Sequence, residues 1–241
     1  MKNLLLVKIR LSWYFVGFTV IYFILSYILP GYKFNAGSLT LFSVNSFLYG
    51  FYISPILGAQ KARIDALHQI IRSESNAIFT MVLGLKKFPD QMKHELQTMI
   101  SMYLKQKIKQ KGINSGEEDY EKLITYCVEY KGKESDQVDK LLNALVANQQ
   151  NRTNFNMQVG NKVFTNEWLI IGILFSITLG FILFVSIPSE FFLVLVKALL
   201  CTGLTMLLIN LVKLNFLTHK RAKQMWDPLN KLIDSNYYRI D

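Results

Sequence analysis

The stretch Phe47-Leu48-Tyr49-Gly50-Phe51-Tyr52-Ile53-Ser54 lies inside an apolar run and sets aromatic rings one helical turn apart beside small residues one turn apart. Residues four apart share a face of an α-helix. Phe47 and Phe51 therefore form one stripe, and Ser46, Gly50, Ser54 and Gly58 form another. One stripe can line a narrow apolar lumen while the other packs against a neighbouring helix.

The run around this stretch is one of four. Residues 11–29, 39–59, 168–187 and 191–212 hold almost no charge, in a chain of 241 residues that is 51% apolar and 18% charged. Each is close to the ~20 residues that a helix needs to cross a hydrocarbon core of ~30 Å. The charge segregation predicts an all-α integral membrane protein. Four transmembrane helices, two plus two, flank a helical cytoplasmic domain. The expected divisions are 1–59 for the first helix pair, 60–167 for the cytoplasmic domain, 168–213 for the second pair and 214–241 for a cytoplasmic amphipathic tail.

Lys2, Lys8 and Arg10 before the first apolar run resemble a secretory signal. The run is longer than a signal core, rich in bulky aromatics, and reaches Pro30 with no small-x-small cleavage site, so it is expected to stay in the mature chain. Lysine and arginine set the orientation. Three precede the first span, one (Lys33) lies in the first short loop and none in the Pro188-Ser189-Glu190 turn, whereas sixteen lie from Gln60 to Glu167 and six from Lys213 onward. The positive-inside bias then puts both termini and the long middle segment in the cytoplasm of a cell-membrane protein.

Topology also accounts for the net charge of +10. The basic residues are dispersed among acids, with no Gly-rich, zinc or aromatic-interleaved basic motif, so nucleic acid is not an expected partner. Cys127 and Cys201 imply no disulfide framework.

The middle segment has helical periodicity broken by punctuation. Leu67, Ile71, Glu74, Ile78, Met81, Val82 and Leu85 form one stripe, ended before Pro89. Met92, Leu96, Met99, Ile100 and Tyr103 form a second. A turn at Gly112 to Gly116 precedes acids at a helix start, and Tyr120, Leu123, Ile124, Cys127 and Val128 form a third. A fourth helix begins near Ser135 and becomes rich in amides from Asn148, read either as a solvated helix or as a polar vestibule wall. In the tail, apolar residues from Leu214 to Ile233 alternate with Lys220, Arg221, Lys223 and Lys231, which fits a membrane-surface helix or docking on the soluble helices. Asp227-Pro228 is expected to interrupt it.

Catalysis has little to work with. His68, His94 and His219 are far apart, no nucleophile, P-loop or dinucleotide motif occurs, and neither an enzyme, a metal site nor a cofactor is expected. Small residues are more informative, because close helix approach in lipid depends on them. Gly172, Ser176 and Gly180 in the third span repeat the four-residue spacing of the second, for packing within one subunit or between subunits. Asn45, Lys197 and Asn210 are polar groups at membrane depth and need partners. Lys197 either snorkels to the surface or faces a water-filled outer entrance, where it would attract anions. Glu74 interrupts an apolar stripe and needs a cation, from Arg63, His68 or Arg72 nearby or from another helix, as a structural ion pair.

The segment from Phe47 to Ser54 resembles the second transmembrane helix of bestrophins, whose phenylalanine-rich, glycine-containing stretch lines a channel neck. Glu74-Ser75-Asn76-Ala77-Ile78 after a basic helix start, with Pro89 about a dozen residues on, is similar to the bestrophin-like family. The resemblance implies a pentameric ring with Phe47 and Phe51 in the neck. Ser43, one turn earlier, stands where bestrophins usually have an aliphatic residue, which implies a shorter constriction. The acidic calcium cluster of animal bestrophins is missing. The expected function is a homo-oligomeric ion channel in a lipid bilayer, passing inorganic ions and favouring anions such as chloride. A cation-selective channel, or a non-conducting scaffold or sensor whose soluble helices bind a partner, also fits these residues.

Overall fold

The structure is a computed structural model and is described for residues 10–188 and 190–234. Lys2 and Lys8, counted above toward orientation, and Ser189 of the predicted turn lie outside the described residues. The described helices are α1 (Leu11–Ile28), α2 (Ala36–Gly84), α3 (Asp90–Gln110), α4 (Glu117–Glu129), α5 (Ser135–Gly160), α6 (Thr165–Phe184), α7 (Phe191–Asn215), α8 (Lys220–Gln224) and α9 (Asp227–Asp234). Four of them contain stretches long and apolar enough to cross a membrane.

The second apolar run does not end its helix near residue 59. Helix α2 continues for 49 residues, about 73 Å at ~1.5 Å per residue. Residues 59–63, Ala-Gln-Lys-Ala-Arg, are strong helix formers, so nothing stops propagation where the apolar character stops. Pro55 removes one N–H from the ladder without ending the helix. Asn35 caps the start, its Oδ1 accepting from the Ser38 N–H at 2.7 Å.

Contacts divide the described chain into two units. The first takes the residues up to Ala62 and Lys162–Lys220, and the second takes Arg63–Asn161 and the residues from Arg221 on. In the first unit α1 lies along α7. Tyr22 packs on Ala198 and Cys201, whose small side chains admit the ring, and its hydroxyl shares a 2.7 Å hydrogen bond with Thr205. Helix α2 is pinned to α6 by Asn45, whose Nδ2 donates to the Leu174 carbonyl (3.1 Å) and to Thr178 Oγ1 (2.8 Å). Tyr49, Ile53, Ile171 and Leu211 close the core between α2, α6 and α7. The connections before α2 and after α6 meet where Tyr32 N–H donates to Phe184 O (2.7 Å) and Ser186 N–H to Tyr32 O (2.9 Å). Gly31 allows this approach, since a Cβ there would lie 2.8 Å from Ser186 Cα.

In the second unit most of the predicted stripe residues form the core, while Met99 and Ile124 are half-buried and Val128 is exposed. Ile64, Leu67, Ile71, Ile78, Val82 and Leu85 of α2 and the 3₁₀ turn after it are buried with Leu96, Ile100, Tyr103 and Leu104 of α3 and with Tyr120 and Leu123 of α4. Of the two readings of the tail, docking is the one observed. Met225, Trp226, Leu229 and Leu232 are buried, Trp226 meets Phe155 edge-on at 5.6 Å, and Ser75 Oγ donates to Pro228 O. Pro228 sits in the first turn of α9, a position proline tolerates, so the helix break falls just before it. Gly116 has φ 72°, and a Cβ there would lie 2.8 Å from the buried Tyr103 ring. Gly116→Ala therefore combines left-handed strain with a clash and is expected to cost ~1–3 kcal/mol, read as a lower melting temperature in detergent. Gly112→Ala, whose Cβ would meet only the Gln110 carbonyl at 3.7 Å, is the near-neutral control.

Candidate functional site

Helix α2 separates two kinds of surface. Tyr49 and Ile53 point inward and are 2% and 3% exposed, whereas Phe47 and Phe51 are 69% and 71% exposed. The two exposed rings stack on one another with centroids 6.0 Å apart and planes 18° from parallel. Ser43, one turn earlier, is also exposed, and its hydroxyl is spent on the Leu39 carbonyl at 2.9 Å. Ser43, Phe47 and Phe51 thus lie along one face that is left exposed among the described residues.

The small residues are not contact points within the chain. Gly50, Ser54 and Gly58 are exposed, and a Cβ at Gly50, Gly58, Gly172 or Gly180 would meet no other side chain or packed helix within 4 Å. Ser176 returns its hydroxyl to the Gly172 carbonyl at 2.7 Å. The contacts between helices described above are made by Tyr22, Asn45 and Tyr49. Ser46 is partly buried with its Oγ enclosed and unpartnered. Lys197 is 5% exposed, and its ammonium donates to the Val185 carbonyl at 3.1 Å.

Glu74 is fully buried in the second unit, and its cation comes from α3. Lys107 Nζ approaches Oε1 and Oε2 at 2.6 and 2.5 Å, and the Tyr103 hydroxyl donates to Oε1. The nearby candidates are engaged elsewhere. Arg63 donates to the Gln158 and Val159 carbonyls, His68 Nε2 contacts the Arg221 carbonyl at 2.7 Å, and Arg72 is exposed. A second pair extends the cluster: Arg152 of α5 bonds Glu117 at 2.6 Å and stacks over the Tyr120 ring at 3.9 Å. Tyr120 donates to the Leu145 carbonyl (2.7 Å) and accepts from Asn148 (3.2 Å). Part of the amide-rich stretch is therefore buried structure, with Asn148 1% and Arg152 3% exposed.

Sequence reading missed Lys107 and Arg152, yet the signal is present. Lys107 follows Leu96, Ile100 and Tyr103 at helical spacing, and Asn148 and Arg152 continue the line of Leu141 and Leu145. Each polar residue extends an apolar stripe instead of ending it. Among the described residues no three His, Cys, Asp or Glu side chains group as a metal site.

The buried polar groups shift one another. Burial, with Glu74 beside it, raises the Tyr103 phenol well above its ordinary range, and burial pushes Tyr120 up to about 12. Burial lowers the Lys107 ammonium, against the opposing pull of Glu74. The folded state keeps Tyr120 protonated where the unfolded chain, with a pKa of ~10, releases its proton. That stability is intact below pH ~10 and is lost as pH rises toward about 12. Lys107 acts oppositely, because the unfolded chain holds its proton up to ~10.5.

Replacing Lys107 with Met strands the Glu74 charge and is expected to cost ~3–5 kcal/mol, measured by thermal or denaturant unfolding. The triple change Glu74→Leu, Tyr103→Phe, Lys107→Met removes every member of the inner cluster and should recover most of that loss. For Tyr120→Phe the readout is the pH slope: melting temperature should fall less steeply than in the unmodified chain between about pH 10 and 12.

An all-α fold with four membrane-length apolar helices and an uncovered aromatic stripe defines a multi-pass membrane protein. A model of the bestrophin-like domain matches residues 15–219, and the chain belongs to the bestrophin-like family. No curated protein and no solved structure matches it.

Proposed function

We propose that the chain is the subunit of a homo-oligomeric ion channel in the cell membrane, with Phe47 and Phe51 lining the neck and Ser43 at its polar margin. The observation that carries this reading is the uncovered, stacked phenylalanine pair on α2. Four helices with so few polar groups do not enclose an aqueous lumen alone, whereas a closed ring supplies one helix per subunit. Five copies is the count of bestrophin rings. The exposed Gly50 and Gly58, and the half-buried Gly172 and Gly180 with open space at their Cβ positions, suit contact between neighbouring subunits.

Water leaves a narrow phenylalanine-lined constriction readily, which makes the neck a barrier. Phenylalanine edges carry partial positive charge and favour anions such as chloride. With both termini cytoplasmic, segment 60–167 and the tail 214–241 form a vestibule on that side, and segments 1–59 and 168–213 form the membrane part.

Chloride flux from proteoliposomes holding the purified, folded oligomer tests the reading. The double change Phe47→Ala, Phe51→Ala is expected to raise flux several-fold by widening and wetting the neck. Unchanged flux in the double variant overturns the neck assignment. A folded oligomer without flux points to the scaffold or sensor reading, and reversal potentials separate anion from cation passage.

A further inference from the structure

The first unit contains a cavity of about 550 Å³. Small-molecule sites run to ~300–1,000 Å³, and this one is lined by α2, α6 and α7 together with Phe34, Val185 and Ile187 of the connections beside them. Phe42, Phe181, Ile182, Val196, Leu200 and Leu204 contribute to its wall. Four polar side chains interrupt that wall: Ser43, Ser46, Thr178 and Lys197. Ser43 and Thr178 are spent on the Leu39 and Leu174 carbonyls. The other two have capacity left. Ser46 Oγ is buried without a partner, and Lys197 gives the Val185 carbonyl one of the three N–H groups an ammonium carries.

The charge is equally unbalanced. Among the described residues of this unit the only carboxylates are Glu167 and Glu190, and neither lies within 4.0 Å of a lysine or arginine nitrogen. Glu167 accepts from the Phe164 N–H, and Glu190 is exposed. An enclosed ammonium without an anion is costly at membrane depth. The wall around it is apolar, which suits an anion that is attached to hydrocarbon.

We propose that this cavity binds a long-chain fatty acid, with its carboxylate on Lys197 and its chain along the phenylalanine and leucine wall. A single cation with two unspent donors matches a carboxylate. A phospholipid head group carries a phosphodiester and ester oxygens, and its polar atoms outnumber the donors this wall offers. A neutral sterol or alcohol would leave the ammonium unbalanced. The site does not depend on whether the protein conducts.

The test is equilibrium binding of radiolabelled palmitate to the full-length protein in phosphatidylcholine nanodiscs. Saturable binding is expected, weakened roughly tenfold or more by Lys197→Met and largely retained by Lys197→Arg. Leu200→Trp fills the cavity and should abolish binding, and hexadecanol should fail to compete. Palmitate should also raise the melting temperature of the unmodified protein and leave that of folded Leu200→Trp unchanged. Equal palmitate affinity in the unmodified and Lys197→Met proteins overturns the proposal. So does the absence of saturable binding, or tighter Lys197-dependent binding of phosphatidylglycerol than of palmitate. Disulfide cross-linking of Leu200→Cys between copies with no palmitate uptake would assign the cavity to a neighbouring subunit and equally overturn it.

Discussion

A backbone amide in hydrocarbon has no water to bond, and this constraint organises the first unit. It demands that each crossing segment close its own hydrogen bonds, which leaves helices as the form for four apolar runs in one chain. It also fixes how the helices associate. Lipid tails are as apolar as leucine, so burial gives little attraction between helices, and polar contacts and close fit do more of the work. Tyr22 to Thr205 and Asn45 to Leu174 and Thr178 are that kind of contact, each joining helices far apart in sequence.

The second unit is held differently. Its apolar stripes enclose the side chains of Glu74, Lys107 and Arg152, and each of these meets an opposite charge. Glu74 and Lys107 are 0% and 2% exposed in side chain, a placement in which either alone would be strongly unfavourable. Arg152 satisfies its charge twice, through Glu117 and through the face of Tyr120. The cluster contributes a defined register between α2, α3, α4 and α5 more than it contributes net stability, since a wholly apolar core would avoid the cost of burying ions.

Much of this fold was legible in the residues. Three of the four charge-free runs match the ends of their helices to within a few residues, and Pro89, Gly116 and Ser135 mark the helix starts that follow or include them. The continuity of α2 was not legible from apolar pattern, because residues 59–63 end the apolar run without lowering helix propensity. Glu74 was recognised as anomalous from its place in a stripe, but its partner is 33 residues away on another helix, and periodicity along one helix holds no information about which helix faces it. Phe47 and Phe51 were legible as a stripe. Their exposure was not, since a helix with apolar residues on several faces does not declare which face its own chain will cover.

The uncovered glycines carry an energetic implication for the isolated chain. Glycine inside a helix costs ~0.5–1 kcal/mol relative to alanine, because the unfolded chain has more freedom to lose. Gly50, Gly58, Gly172 and Gly180 all lie within helices and all have open space where a methyl group would go. Together they leave a single chain ~2–4 kcal/mol below what four alanines would provide, with no compensating contact at their Cβ positions among the described residues. The monomer is thus under-optimised as a free-standing object, and the balance of its folding free energy is completed by whatever its outer surface touches.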